Sequence, residues 1–221
     1  MTPGVRTRFA RELDRLNQDA LRLGSGARQA VARAMTALET DDGQLARELI
    51  AADVEINTLR FEIERRCYAL IATEQPVAGD LRLIVAVLIV TTELERIADH
   101  GKKIARICLR LLDSPHPVPI TNLSRLSELA LEMLDRALHA FASMDQAEAV
   151  ALCKADDHVD AYYKQTFNIL LTYMLEDPST IGAATQLLQA AHELERIGDR
   201  ATNIGERVIY AVSGQLSDLN T

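Results

Sequence analysis

Glu95 and Asp99 stand four residues apart, and the same pair returns as Glu195 and Asp199. On a helix this spacing brings two carboxylates to one face, about one turn apart. The residues just before them, Leu94 and Ala98, belong to an apolar stripe, which places the pair on the shoulder of the core. Asp53 and Asn57 hold the same relation to Ala52 and Ile56, and Asp156 with Asp160 are their counterparts in the second half. If neighbouring antiparallel helices align these shoulders, each half gathers three or four oxygen-bearing side chains. Like charges at this spacing repel by roughly a few tenths of a kcal/mol, and by more when partly desolvated. A cation would relieve that repulsion, and carboxylate and carboxamide oxygens are hard ligands suited to Mg²⁺, Mn²⁺, Ca²⁺ or iron. The competing reading is a solvated acidic face balanced by Arg96 and Arg196. Duplication of the motif, with a second acidic pair on another helix, favours metal.

Other chemistry has little to work with. A ferritin-like di-iron bundle wants Glu-x-x-His on two helices. The positions three before the five histidines hold Ile97, Asp113, Arg136, Ala155 and Gln189. His192-Glu193 fails as a zinc-protease motif because Arg196 stands where the second histidine belongs. No nucleophile elbow, phosphate loop or dinucleotide fingerprint is present. The chain is therefore read as a non-enzyme, with His100, beside Asp99, the only histidine near a motif.

The elements that must position these residues are helices throughout, since apolar residues recur at alternating spacings of three and four. The first helix follows Phe9, Leu16, Leu23, Val31 and Leu38, with a weak or kinked point expected at Gly24-Ser25-Gly26. A second runs from Leu45 to Leu70, after Asp41-Asp42-Gly43 and before Gln75-Pro76. A third starts near Asp80, read as its N-cap, and reaches Leu112. Ser114-Pro115-His116-Pro117-Val118-Pro119 cannot continue a helix, so residues 114–120 form a linker between units 1–113 and 121–221. Three more helices follow, at about 123–143, 146–176 and 179–212. ELERIAD at 93–99 recurs as ELERIGD at 193–199, six identities in seven at an offset of 100. The expected fold is all-α, with six long helices forming two pseudo-symmetric three-helix bundles.

With 221 residues the chain can bury a sizeable core without disulfides or metal. Cys67, Cys108 and Cys153 are unpaired by spacing and read as core residues in a reducing compartment. The N-terminus turns amphipathic before any apolar run can build up, which predicts no signal peptide and a cytoplasmic protein. A net charge of −8 and only four Phe, five Tyr and no Trp argue against nucleic acid as a partner. The longest apolar run, residues 83–90, is eight residues long, against about 20 for a membrane span. It is read as the packing seam between the bundles, so any membrane association would come indirectly, through protein partners.

Gln75-Pro76-Val77-Ala78-Gly79-Asp80-Leu81-Arg82, the motifs ELERIADH and ELERIGDRATNI, and ERVIY at 206–210 together resemble the PhoU family, over nearly the whole chain. That resemblance implies a homodimer of paired three-helix bundles carrying metal ions (Mg, Mn, Fe or Zn). It also implies negative regulation of phosphate uptake and of the phosphate-starvation response, as an adaptor between a phosphate ABC transporter ATPase and a sensor histidine kinase. Carried over by residue, it places metal at Asp156, Asp160, Glu195, Asp199 and Asn203, and in the first half at Asp53, Glu95 and Asp99, with His100 beside them. Asn57 stands where the family generally has Asp, and Lys103 where it generally has Asn. The first-half site is therefore expected to bind metal weakly or not at all, with Lys103 as its balancing cation. A carboxylate-metal enzyme of ferritin type and a metal-free helical scaffold are the alternative classes.

Overall fold

A computed structural model describes residues 3–112 and 118–215. Among them there are six long helices and no strand: α1 (Pro3–Glu39), α2 (Gly43–Glu74), α3 (Ala78–Leu111), α4 (Thr121–Ser143), α5 (Gln146–Glu176) and α6 (Ile181–Ser213), with a three-residue 3-10 turn at Pro178–Thr180 before α6. Residues 114–117 of the expected linker lie outside the described residues. Val118, at its end, is buried in the core.

Local chemistry sets the ends of these helices in matching ways. Asp42 caps α2 by accepting from the backbone N–H of Gln44 and Leu45, and Asp145 caps α5 by accepting from Ala147 and Glu148. Each cap follows a residue in left-handed backbone, Asp41 (φ 52°) and Met144 (φ 51°). The duplication visible in the ELERI motifs thus extends to the turns. Asp80 is not the cap of α3: the helix starts at Ala78, Val77 precedes it without a side-chain cap, and Asp80 lies in the first turn. There its charge meets the positive end of the helix dipole.

Within each half all three helices touch: α1, α2 and α3 in the first, α4, α5 and α6 in the second. The halves meet through α3 on α6 and α1 on α4, each helix packing against its own counterpart. A pseudo-two-fold axis produces that pairing. α3 and α6 run antiparallel: Arg82 reaches the Ala211 carbonyl at one end, and Arg110 reaches Gln186 and Gln189 at the other. The apolar run 83–90 lies along this seam, with Ile84, Ala86, Val87 and Val90 buried. No described helix is long and apolar enough to cross a membrane. All three cysteines are free and buried, and burial pushes the Cys67 thiol up to about 12 and the Cys153 thiol to about 11, so neither is a ready nucleophile.

α1 is helical without a break through Gly24-Ser25-Gly26, where a weak or kinked point was expected. These glycines serve close approach, since a Cβ on Gly24 would lie 2.4 Å from Leu138 Cδ2 of α4. Gly101 is tighter still in kind, because its Cβ would meet backbone: Val31 N at 3.0 Å and Ala30 C at 3.1 Å. Gly101→Ala is expected to destabilise the protein by about 1 kcal/mol, overpacking outweighing the gain in helix propensity. Gly79→Ala, where nothing lies within 4 Å, should be neutral or stabilising. Urea midpoints of the two variants check the contrast.

Candidate metal centres and the seam between them

In the first half, α2 and α3 bring Asp53, Asn57 and Asp99 to one patch. The patch already contains a cation. Lys102 Nζ lies 2.7 Å from Asp53 Oδ2 and 2.7 Å from Asp99 Oδ1, with 16% of its side chain exposed. Asn57 Nδ2 donates to Asp53 Oδ2 at 2.9 Å, so the carboxamide is tied into the same set. Glu95 stands half-buried and takes no part in these bonds. Burial works to raise the Asp99 pKa, but the hydrogen bonds and charges of Lys102, then Lys103, more than offset it and hold it low. The Lys102 ammonium is correspondingly held charged: burial opposes this, and Asp53 and Asp99 prevail.

Lys102 thus takes the place expected for Lys103. Lys103 is 3.5 Å from Asp99 Oδ2 but also 3.3 Å from Glu193 Oε2, and it straddles the seam. Both lysines are within helical reach of Asp99. Only the packing of α2 decides between them, because Asp53 lies on the Lys102 side.

The second half has the equivalent acids, with Asp160 in the place of Asn57, and among the described residues no such cation. At the position equivalent to Lys102 it carries Thr202, which is fully buried. Its hydroxyl approaches Asp156 closely enough to oppose the rise of that pKa slightly, short of a full hydrogen bond. Burial first, then the charges of Asp199 and Asp160, push Asp156 up to about 6 and Glu195 up to about 7. Asp199 is also raised, by burial and then by Asp160 against the pull of Arg196. Glu195 Oε2 is buried without a hydrogen bond: His192 Nδ1 lies 3.4 Å away, outside bonding geometry. Arg196 Nε approaches Asp199 Oδ2 only to 3.7 Å, and Lys164 approaches Asp160 only to 3.9 Å.

In donor chemistry and unbalanced charge the second-half set suits a hard cation. It is a patch and not a closed cage: no three His, Cys, Asp or Glu among the described residues converge tightly enough to hold one ion. The first-half set does not suit a cation, because an ammonium group lies between two of its carboxylates.

Between the centres, α3 and α6 exchange polar contacts in mirrored pairs. Glu93, buried, accepts from Arg200 Nη1 at 3.2 Å and Asn203 Nδ2 at 3.3 Å. Glu193, its equivalent, meets His100 Nδ1 at 2.5 Å and Lys103 Nζ at 3.3 Å. Burial would raise the Glu193 pKa, but His100 and then Lys103 hold it low. Asn203 and His100, both assigned by resemblance to the metal patches, therefore face the other half instead. Glu93, Glu193 and Arg200, which carry these contacts, and Lys102, which bridges the first-half acids, were missed in the sequence. The first glutamate of each ELERI was a legible signal, being a charged residue on the buried side of an otherwise apolar stripe.

A family model described as PhoU domain matches residues 20–108 and 123–208 of this chain. The phosphate-specific transport system accessory protein PhoU of Edwardsiella tarda is 37% identical over 207 residues, covering 94% of this chain and 85% of that protein. The PhoU homolog of Caulobacter vibrioides (strain NA1000 / CB15N) is 38% identical over 216 residues, covering 97% and 94%. Among solved structures, PhoU from Pseudomonas aeruginosa superposes with a TM-score of 0.90 at 35% identity, covering 94% of this chain and all of that one.

Proposed function

This chain belongs to the PhoU family, and from that membership we propose that it is an accessory regulator of a phosphate-specific transport system. It acts in the cytoplasm as a homodimer that restrains phosphate uptake and the starvation response, linking the ABC transporter's ATPase to a sensor histidine kinase. Its role is adaptation between proteins and not catalysis. The observation that carries this reading is the match along almost the whole chain, 94–97% of it, to relatives named as accessory proteins of the phosphate-specific transport system. Docking to proteins suits a chain with net charge −8 and with exposed apolar side chains on α2 (Val54, Phe61 and Tyr68) at seven-residue spacing. Deleting the gene in a strain carrying a phosphate-starvation reporter should derepress the reporter in high phosphate. Unchanged repression would count against the assignment.

Within that role the second-half patch is the metal centre. Asp156, Asp160, Glu195 and Asp199 would have to close from the open patch onto the ion, which would supply positive charge to the acidic shoulder of α5 and α6. The buried, unbonded Glu195 Oε2 supports this most directly. The first-half patch is closed by Lys102. Metal analysis of protein purified without chelator is expected to show one class of site per chain, lost in Asp199→Asn and retained in Asp99→Asn. Two equally occupied sites would overturn the asymmetry.

A further inference from the structure

The pseudo-two-fold relation fails conspicuously along one stretch of the α3/α6 seam. A cavity of about 340 Å³ opens there between α3 and α6, with Tyr163 of α5 at its wall. Its rim carries Lys103, Arg106 and Arg110 from α3 and His192 from α6, and its floor is apolar, formed by Ile107 and Leu188. The residues equivalent to its three α3 cations are Asn203, Glu206 and Tyr210, so the other half presents no such rim. In a chain of net charge −8, three cations gathered on one wall of a cavity are a specific arrangement and not a general surface property.

The rim charge is also largely uncommitted. Arg106 is exposed, and neither it nor Arg110 makes an ion pair among the described residues. Arg110 Nη1 donates only to neutral carboxamides, Gln186 Oε1 at 3.1 Å and Gln189 Oε1 at 3.4 Å. Glu193, the one acid lining the cavity, is already engaged by His100 and Lys103. Planar guanidinium groups with free donors favour bidentate pairing with two anionic oxygens, as a phosphate offers. The volume falls at the lower end of the roughly 300–1,000 Å³ typical of small-ligand pockets. Tyr163, Ile107 and Leu188 give an organic body something to pack against, which a bare anion would not need.

We propose that this groove binds a phosphorylated organic small molecule of nucleotide class, with its phosphates on Arg106 and Arg110 and its apolar part against Tyr163 and Leu188. The site adjoins the acidic patches through Lys103, 3.5 Å from Asp99, and His192, 3.4 Å from Glu195, but its own rim is of the opposite charge. Titration with EDTA present keeps its test independent of metal binding.

Calorimetric titration of the full chain in low-salt buffer with EDTA tests this, using ADP, adenosine and pyrophosphate as probes. Saturable ADP binding is expected, tighter than that of either fragment. Arg106→Glu and Arg110→Glu should each weaken it by about tenfold or more, as losing a charge-assisted hydrogen bond and adding repulsion requires. Arg125→Glu, an exposed charge change on α4, should leave it unchanged. Both groove arginines are exposed, so the folded state should tolerate the changes, and melting curves check this. The proposal is overturned by no saturable ADP binding, by ADP binding that ignores both variants, or by pyrophosphate binding as tightly as ADP. Binding of a poly-glutamate peptide in the absence of ADP binding would likewise overturn it, in favour of an acidic protein segment.

Discussion

Lys102→Thr, which installs in the first half the residue that the second half carries at 202, should destabilise the metal-free protein by about 2–3 kcal/mol. Lys102 lies 2.7 Å from both Asp53 and Asp99, and the side chains of Lys102 and Asp53 are 16% and 15% exposed. Removing the ammonium leaves two carboxylates short of a partner. The lower part of the range expected for a broken buried pair applies because Asp99 is 35% exposed and keeps some solvation. About 0.5 kcal/mol of the loss reflects the poorer helix propensity of Thr. Urea unfolding in EDTA measures the effect, and for a chain of this size the melting temperature should fall by about 5–10 °C. Millimolar Mg²⁺ or Mn²⁺ should then restore much of the stability of the variant while leaving the first half of the wild type unaffected. The reverse change, Thr202→Lys, should stabilise the metal-free second half and abolish its response to cation. Unchanged stability of Lys102→Thr would show that the ion pairs contribute nothing net, and the account of the first half would fail.

The metal-free protein should be more stable near pH 5 than near pH 8, by about 2 kcal/mol after allowing for partial exposure of the acids. Asp156 rises from an ordinary 3.8 to about 6 and Glu195 from 4.5 to about 7. The folded chain therefore binds more protons than the unfolded chain across that interval. The resulting stabilisation is complete below the unfolded values and is lost as pH rises through about 6 and then about 7. Asp99 and Glu193 act in the opposite sense, because their pKa values are lowered. Their contribution is present above their ordinary values and disappears only as pH falls through the depressed ones, in more acidic solution. An optimum between these two regimes follows. Melting curves in EDTA across pH 4.5 to 8 check it, with Asp156→Asn/Glu195→Gln expected to flatten the limb above pH 5. Saturating Mg²⁺ or Mn²⁺ should flatten it too, since a bound cation favours the ionised carboxylates. A level profile in the untreated, metal-free protein would contradict the picture of repelling, half-buried acids.

Much of the architecture was legible because it rests on local rules. The stripe from Phe9 to Leu38 is a helix in the structure, the turn at Asp41-Asp42-Gly43 ends it, and α5 spans Gln146–Glu176 as read. The misread points, Gly24-Ser25-Gly26 and Asp80, are places where local propensity yields to something else. Glycine weakens helices in isolation, but here Gly24 admits Leu138, and tertiary packing supports a helix that continues across it. Asp80 is a good cap by type, yet Val77 takes the cap position and the helix begins three residues earlier.

The candidate centres were legible in type but not in state. Spacing alone placed Glu95 with Asp99 and Glu195 with Asp199 on helix faces, and the copy at offset 100 marked the chain as duplicated. Those are one-dimensional facts, set by helical periodicity and read directly from the residues. Whether the two acidic pairs are equivalent is not of that kind. It depends on which lysine can reach Asp53 on the neighbouring helix, and on the absence of any such amine beside Asp156. It depends equally on Glu93 and Glu193 drawing Asn203 and His100 away to the seam. Side chains equally spaced along one helix are separated only by what packs against them, because Coulomb and hydrogen-bond energies fall off within a few ångströms and respond to burial. Helices, duplication and acid pairs are thus written in the residues themselves, and the tertiary packing decided that Asp99 of the first pair is bridged to Asp53 by an ammonium while no described lysine bridges the second.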